Sequence, residues 1–420
     1  MDTIKSICSI SPANISDNPR LIKELQTIEI AGFKSSAVVG AHGSSNRLFD
    51  AEVGASLSSD IVSIPYGPGA GFARRVTQAP VRIGSRAVLR LCPFNIQTLV
   101  ERGFHDVTPG LTRAAVAQNA DLYIAHYVAA LPAAARAAAV NGGLYAFDAE
   151  DFHPGDLPAT PENHLESRLI KAIEARYLPG AAFVTAAAPL IADAYASTYG
   201  IPRPTVVLNV FPRSHAPAGP TPVGSATPGP SLYWFSRTVG PRRGLEVAVE
   251  GIARATSQPH LYLRGRPEYG YRETLLAHAR SHGVAERLHF LEPVSPFELE
   301  RLGGQYDLGF CGEFDVTVNR GIALTNKLFS YLLSGLPVIA SDIAAHRDIQ
   351  PLVGDAMVNF DMKDPAALAA ALDGYLLNPD RLASARAHAW RLGQDRFNWE
   401  VERESLTTVI EQVLAAPVRR

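Results

Sequence analysis

The chain has 420 residues, of which 47% are hydrophobic and 19% charged, and its formal net charge is −2. The length favours two domains of about 200 residues each, and the composition excludes a disordered chain. The near-neutral charge argues against nucleic acid as a partner, because dedicated nucleic-acid binders usually carry a basic excess. Three cysteines without metal-ligand spacing are typical of a reducing compartment. Without a recognisable signal peptide or an apolar run of membrane-spanning length, we expect a cytoplasmic protein.

Short β-branched or aromatic runs alternate with helix-like segments along most of the chain. Seven runs in the first half predict strands: KSICSIS, SAVVGA, DIVSIP, DLYIAHY, GLYAFD, AAFVTAA and TVVLNVF. Six more follow: SLYWFSR, HLYLRG, LHFLEP, DLGFCG, LPVIASD and AMVNF. Helices are predicted at NPRLIKELQTIEIA, HLESRLIKAIEARYL, GLEVAVEGIARA, YRETLLAHARSHG and PAALAAALDGYLL. Apolar strands separated by helices indicate an α/β protein with doubly wound parallel sheets.

The domain boundary is predicted from composition. Residues 212–230, PRSHAPAGPTPVGSATPGP, are dense in proline, glycine and small side chains, which build no core element. We therefore predict a Rossmann-like domain at 1–212, a linker at 213–230, a second Rossmann-like domain at 231–395 and a C-terminal helix at 396–420. Ligands of such sheets bind at the carboxyl ends of the strands.

The segment 319–341, NRGIALTNKLFSYLLSGLPVIAS, is the most informative stretch of the chain. It predicts a polar loop, a helix that begins at Thr325 or Asn326, a glycine stop at Gly335 and a strand. The N–H groups and the positive dipole end of that helix suit a diphosphate, to which Lys327 adds a charge. The local chemistry also allows a simple capped connection from helix to strand.

The segment 233–254, YWFSRTVGPRRGLEVAVEGIAR, predicts a strand, a loop with three arginines and a helix that begins after Gly244. Arg237, Arg242 and Arg243 at a strand end, next to a helix N-terminus, suit a diphosphate. A solvated basic turn is the alternative interpretation of the same residues.

The segment 319–341 resembles the donor-site helix of family 4-type GT-B glycosyltransferases, whose pattern is N…LPNKLFEYLAAGLPVVAS. Asn319, Asn326 and Lys327 match this pattern. Ser330, however, stands where the family has an acidic residue that holds the ribose hydroxyls of the donor. We expect Glu313 or Asp315 in the preceding loop, CGEFDVTVN, to compensate, with Glu313 as the residue assigned to the donor site.

The arginine loop is similar to the donor phosphate-binding loop of the same family, with Arg243 as our first choice and Arg237 as our second. The resemblance thus implies a donor site in the second domain. Its predicted residues are Arg237, Arg242, Arg243, Glu313, Asn319, Asn326, Lys327 and Ser330.

The first half resembles the family more loosely. Its passage DLYIAHY…YAFDAEDFHPGD is similar to the family's D-x-x-H-A-H-D…YDAHE, in which His126 and Asp148 match, Glu150 replaces a commoner histidine and Asp151 follows it. The resemblance implies that these four residues are catalytic and face the acceptor. For His126 alone, a satisfied core histidine is the alternative.

The resemblance spans nearly the whole chain and implies two Rossmann-like domains facing across a cleft, with the C-terminal helix crossing back to the first. The implied reaction moves a sugar from a nucleotide diphosphate sugar to a glycan, a lipid-linked or a small-molecule acceptor, with retention. No cofactor and no metal are expected, because cationic side chains and helix N-termini stabilise the leaving diphosphate. Two rivals stay open: a nucleotide-sugar epimerase of the same fold, and a catalytically silent nucleotide-sugar-binding subunit.

A basic stretch at 74–91 places its arginines on one face of a helix, although Pro80 and Gly84 weaken that helix prediction. The stretch is typical of a solvated face, of a patch for acceptor phosphates, or of a peripheral contact with the inner face of the membrane.

Overall fold

The structure is a computed structural model that describes residues 4–43, 47–67, 72–92, 96–220 and 227–416. The chain forms two compact units, one of Met1–Val207 with Arg403–Arg420 and one of Leu208–Glu402. The predicted linker at 213–230 includes residues 221–226, which lie outside the described residues.

The first unit contains a parallel sheet of seven strands. In chain order these are β1 (Ser6–Ser11), β2 (Lys34–Ala41), β3 (Asp60–Pro65), β4 (Leu122–His126), β5 (Leu144–Ala149), β6 (Val184–Ala186) and β7 (Thr205–Val206). The spatial order is β3-β2-β1-β4-β5-β6-β7, and every neighbouring pair is parallel. The strand order reverses between β1 and β4, which is where doubly wound sheets bind ligands.

In the sequence, the helices of the first unit connect these strands. They are α1 (Pro19–Ile30), α2 (Arg47–Ala55), α3 (Phe72–Leu91), α4 (Gln97–Phe104), α5 (Thr108–Gln118), α6 (Leu131–Asn141), α7 (His164–Tyr177) and α8 (Pro189–Tyr199). Strand β4 is buried along its whole length, as expected for a central strand covered by helices on both faces.

The second unit repeats the pattern with six parallel strands. They are β8 (Ser231–Val239), β9 (His260–Pro267), β10 (Leu288–Leu291), β11 (Leu308–Cys311), β12 (Val338–Ser341) and β13 (Met357–Phe360), in the spatial order β10-β9-β8-β11-β12-β13. Its helices are α9 (Leu245–Arg254), α10 (Tyr271–Ser281), α11 (Leu299–Gly303), α12 (Val318–Ile322), α13 (Asn326–Leu333), α14 (Ala344–Val353), α15 (Pro365–Leu376) and α16 (Pro379–Asp395). A last helix, α17 (Trp399–Ala415), begins in this unit and ends in the first.

Both sheets are held by apolar strands packed under amphipathic helices. In the second unit, one core cluster contains Trp234 of β8, Val249 and Ile252 of α9, and Leu368 of α15. Burial of such side chains stabilises by ~1.5–3 kcal/mol each, which fixes the helices against the sheet and so positions the loops at the strand ends.

Helix α3 differs from the expectation, because it continues through Pro80 and Gly84. Ser85 and Leu89 are buried on its inner face, so that packing offsets the backbone hydrogen bond lost at the proline. The side chains of Arg74 and Arg75 lie outside the described residues. Among the described residues, no helix combines the length and apolar character needed to cross a bilayer.

Candidate functional sites in the two units

In the second unit, the arginine loop lies against the segment that follows β11. Gly244, at the start of α9, has a φ of +74°, and a Cβ placed on it would lie 3.1 Å from the carbonyl oxygen of Gly312. A side chain would therefore strain the backbone and collide with the neighbouring loop. The glycine lets the two predicted donor motifs meet where β8 and β11 adjoin in the sheet.

Glu313 is the centre of the charges at this point. Its carboxylate accepts a hydrogen bond from Lys327 Nζ at 2.9 Å and lies 3.5 Å from Arg320. Burial would raise the pKa of Glu313, but the charges of Lys327, Arg320 and Arg243 outweigh burial and hold the pKa below its ordinary value. Two cations thus contact one carboxylate and the charge of Arg243 acts on it from the arginine loop, so the group of four carries a formal excess of two positive charges.

Helix α13 begins beside this group, as the sequence predicted. Its buried face carries Leu328, Phe329 and Leu332, which anchor the helix in the core. The N-cap residue Thr325 makes no side-chain hydrogen bond to the first turn, and its hydroxyl lies 3.2 Å from Cys311 Sγ instead. The first N–H groups of α13, at Asn326 and Lys327, have no acceptor within the helix itself, as at every helix N-terminus.

Ser330 has a different partner from the one expected. It is 1% exposed, and its hydroxyl donates to Glu300 Oε1 at 2.7 Å. Glu300, on α11, is fully buried, and its Oε2 lies 3.5 Å from His215 Nδ1. The structure thus places a carboxylate beside Ser330 from α11, whereas the oxygens of Glu313 lie at Lys327 and Arg320. That Glu313 holds a ribose stays a prediction.

The remaining predicted donor residues differ in exposure. Arg237 and Arg242 are exposed, and Arg242 has a φ of +61°. Arg243 is half-buried next to the Glu313 group, whereas Asn319 is buried in α12. The structure therefore brings Arg243, Glu313 and Lys327 together.

In the first unit, His126 ends β4 at the point where the strand order reverses. The side chain is fully buried, and both ring nitrogens face carboxylates: Nε2 lies 3.1 Å from Glu24, and Nδ1 lies 3.2 Å from Glu150 and 3.3 Å from Asp148. Glu24 also accepts a hydrogen bond from Ser9. Three acidic side chains from α1, β5 and the loop after β5 thus converge on one histidine.

Burial alone would lower the pKa of His126. The charge of Glu24 and the hydrogen bonds to Asp148, Glu150 and Glu24 outweigh burial and raise the pKa well above its ordinary value. These contacts favour the protonated imidazole, which can donate from both nitrogens.

Asp148 is held by Arg20 in a two-point ion pair. Arg20 Nε lies 2.5 Å from Oδ2 and Nη2 lies 2.8 Å from Oδ1, while Thr185 also donates to Oδ1. Burial would raise the pKa of Asp148, but Arg20 and His126 hold it well below its usual range. Both side chains of the pair are at most 3% exposed. The carboxylate of Asp148 therefore cannot contact an acceptor substrate unless the ion pair breaks.

Glu150 and Asp151 are the predicted catalytic residues with partly exposed side chains. Glu150 is 11% exposed, and its Oε1 accepts from Asn18 Nδ2 at 2.9 Å. Asp151 is half-buried. The sequence placed His126, Asp148, Glu150 and Asp151 together as substrate-facing groups, whereas the structure buries the first two behind the other two.

Arg20 and Glu24 in the first unit, and Arg320 and Glu300 in the second, were absent from the predicted sites. Arg320 lies inside the informative 319–341 segment, so its place in the sequence could have marked it as a candidate. Glu300 gave no such signal, because it is 30 residues from Ser330 and meets it only through the packing of α11 on α13.

The ligand atoms of His126, Asp148 and Glu150 also lie within 4.8 Å of one another, a spacing compatible with a metal ion. The guanidinium of Arg20 occupies both oxygens of Asp148. A cation at this point would face Arg20 directly, so the donor set does not fit a metal.

Three solved structures show the same arrangement of strands and helices. Sucrose-phosphate synthase from Thermosynechococcus elongatus is 14% identical with a TM-score of 0.71, and the match covers 98% of this chain and 100% of that one. Anabaena HepE in complex with UDP-glucose is 15% identical with a TM-score of 0.68, covering 97% and 99%. The lipopolysaccharide outer core galactosyltransferase WaaB is 13% identical with a TM-score of 0.59, covering 97% and 99%.

The chain has the GT-B fold. The fold class predicted from the sequence, two Rossmann-like parallel-sheet domains, is confirmed. No family model and no curated protein sequence matches the chain. At these identities the GT-B likeness establishes the fold, and the reaction has to be argued from the residues.

Proposed function

We propose that this GT-B protein is a glycosyltransferase that takes a sugar from a nucleotide diphosphate sugar and binds the donor diphosphate in its second unit. The observation that carries the proposal is the meeting of Arg243 with Glu313 and Lys327 at the ends of β8 and β11. HepE, of the same fold, was solved with UDP-glucose, which supports a donor of this class.

The chemistry follows from the charges. When the bond between the sugar and the β-phosphate breaks, negative charge grows on the leaving diphosphate. Arg243, Lys327 and the N-terminus of α13 would stabilise that charge more strongly in the transition state than in the bound donor. These groups supply the role that a divalent cation plays elsewhere, so we propose transfer without a metal, and with retention.

In this proposal the first unit serves the acceptor, a glycan, a lipid-linked sugar or a small molecule. Glu150 and Asp151 would contact it, because they are partly exposed. His126 and Asp148 would act as positioning residues, since the protonated imidazole holds Glu150 and Asp148 anchors the imidazole.

The proposal is tested by nucleotide release and by calorimetry with UDP-, GDP- and dTDP-sugars. Arg243→Ala and Lys327→Ala should each lower kcat/KM at least ~tenfold, since charge-assisted contacts are worth ~1.5–3 kcal/mol. Arg391→Ala, an exposed arginine on α16, is the matched control and should behave as the parent. Unchanged turnover in the first two variants would remove the donor site from this position.

The same assays separate the rivals. An epimerase would convert one sugar nucleotide into another without an acceptor and without releasing nucleoside diphosphate. A silent subunit would bind the donor but would catalyse neither sugar transfer nor epimerisation.

We also propose that α3 places the first unit on an anionic membrane surface, where a lipid-linked acceptor would lie. The outward face of α3 is apolar, with Ile83 68% and Leu91 89% exposed and Val81 and Val88 beside them. Along its flank, a cavity of about 380 Å³ is lined by three arginines, Arg82, Arg86 and Arg90, together with Asp106, Ala79 and Ile83. Arg82 and Arg86 pair with Asp106 and Glu166, so the apolar stripe and Arg90 are the groups that suit an anionic lipid surface.

Flotation with vesicles of neutral phosphatidylcholine, with and without phosphatidylglycerol, tests this contact. The parent should float only with the anionic vesicles, and Ile83→Glu combined with Leu91→Glu should abolish flotation. Val140→Glu, at an exposed apolar residue on α6, should not. Flotation that is unaffected by the α3 changes would exclude α3 as the contact.

A further inference from the structure

Two helices on the second unit carry a group of metal-binding side chains that the proposed donor site does not use. His278 lies on α10, His282 follows that helix by one residue, and Glu250 lies on the neighbouring α9. One ligand atom from each of the three lies within 4.8 Å of the others. The two histidines are four residues apart, the spacing with which helices bind zinc, and His282 is the C-cap residue that ends the helix.

We propose that Glu250, His278 and His282 form a binding site for a divalent transition-metal ion, with Zn²⁺ as the best-suited ion. The three side chains would supply one carboxylate oxygen and two imidazole nitrogens, and a water molecule would complete a tetrahedral shell. Zinc binds nitrogen and oxygen ligands in this arrangement, and imidazole favours zinc, copper and nickel over magnesium and calcium.

The separation of the first two ligand atoms supports the proposal. His278 Nε2 lies 3.5 Å from Glu250 Oε1. Zinc bonds of ~2.0–2.1 Å at tetrahedral angles place neighbouring ligand atoms ~3.4 Å apart. The observed distance is long for a hydrogen bond but fits two ligands of one ion.

The hydrogen bonding of His278 also supports the proposed metal site. Its Nε2 is shielded from solvent and has no hydrogen-bond partner among the described residues. A shielded ring nitrogen without a partner is costly, and a bound ion would satisfy it. The ring of His282 is partly exposed and lies with its centroid 4.7 Å from that of His278, and one of its nitrogens is within 4.8 Å of the other two ligand atoms.

The surroundings hold the ligands in place. Arg254 lies 3.2 Å from Glu250 Oε2, so one oxygen is fixed and Oε1 is left toward His278. Elsewhere along the same two helices, Tyr271 of α10 donates to Glu246 of α9 at 2.6 Å, which fixes the helices relative to each other. Such supporting contacts to the ligands and their helices are typical of metal sites.

Zinc bound here would join α9 to α10 and stabilise the second unit. It would take no part in the reaction at the diphosphate, because the donor residues Arg243, Glu313 and Lys327 do not belong to the group. The site is therefore independent of the proposed transferase activity.

The experiment uses the full chain after removal of metals by chelation and dialysis. Titration with Zn²⁺ by calorimetry should show saturable binding of one ion per chain, and Zn²⁺ should raise the Tm. Co²⁺ in its place should give the visible absorption bands of a four-coordinate cobalt site, which report the ligand shell without reference to activity.

Variants decide which side chains bind. His278→Ala and His282→Ala should each weaken Zn²⁺ binding at least ~tenfold and remove the cobalt bands. His289→Ala is the matched control, because it disrupts the other close histidine pair of this unit, in which His260 Nδ1 lies 2.8 Å from His289 Nε2. Absence of saturable binding overturns the proposal, and so does binding that survives both α10 variants or is lost in the control.

Discussion

Asp148→Asn tests whether the Arg20–Asp148 pair is the structural anchor of the His126 cluster. The substitution keeps the shape of the side chain but removes its charge, and the guanidinium of Arg20 stays buried without the one carboxylate that it contacts directly. In addition, one carboxylate oxygen becomes an NH₂ group that faces N–H donors of Arg20 or His126. Donor would then oppose donor, whichever way the amide turns.

The expected cost is large. Removing one partner of a buried pair costs ~3–5 kcal/mol, against a total stability of ~5–15 kcal/mol for a typical domain. Asp193→Asn is the matched control, because Asp193 pairs with Arg203 at 2.5 Å but is 55% exposed. A surface pair of this kind contributes ~0–1 kcal/mol.

Hydrogen exchange followed by mass spectrometry suits a chain of two units, since it reports each unit separately. Peptides that cover β4 and β5 should exchange roughly a hundredfold faster or more in Asp148→Asn, because each ~1.4 kcal/mol is a factor of ten. Peptides from β11 and β12 serve as the internal reference. If β4 and β5 exchange in Asp148→Asn at the rate seen in Asp193→Asn, the pair is not an anchor and the reasoning fails.

Three further outcomes are expected. Because the folded pKa of His126 stands well above 6.5, the contribution of His126 to stability is complete below about pH 6.5 and is lost as pH rises through the folded pKa. The free energy of unfolding measured in urea should therefore fall more steeply from pH 7 upward in the parent than in His126→Gln. Equal slopes would contradict the assignment. Excess EDTA should leave transfer activity intact, and loss of activity that Mg²⁺ or Mn²⁺ restores would reject metal-free transfer. Ser330→Glu should lower the Tm well beyond Ser330→Ala, because it sets a second carboxylate against buried Glu300; a Tm equal to that of the alanine variant would contradict this contact.

The strand and helix pattern could be predicted because each element leaves a local mark. Buried parallel strands such as β4 and β12 are continuous apolar runs, and α13 shows both a helical apolar stripe and a glycine stop at Gly335. Each strand predicted from the sequence is confirmed by a strand of the structure. Helix α3 is different, because its local sequence argues against a continuous helix and the packing of Leu89 outweighs the local effect of Pro80.

Contacts within the sites could not be predicted, because they join residues far apart in the chain. Arg20 and Asp148 are separated by 128 positions, and nothing near either residue specifies the other. Burial is equally non-local: the sequence identified His126 and Asp148 but could not tell that the structure would enclose them behind Glu150. Resemblance to a family predicts which residue types stand at a site. It does not predict the exposure of their side chains, which depends on how the whole sheet packs.

The first unit is discontinuous, since it needs Arg403–Arg420 to be complete. Leu406 and Ile410 on this segment are buried, so a nascent chain that has finished residue 207 still exposes the surface they will cover. At about 5–20 residues per second, synthesis of the second unit delays that cover by on the order of ten seconds or more. The newly made protein therefore passes through a period in which its N-terminal half is accessible to chaperones and proteases, and the ribosome's speed helps to set how long that period lasts.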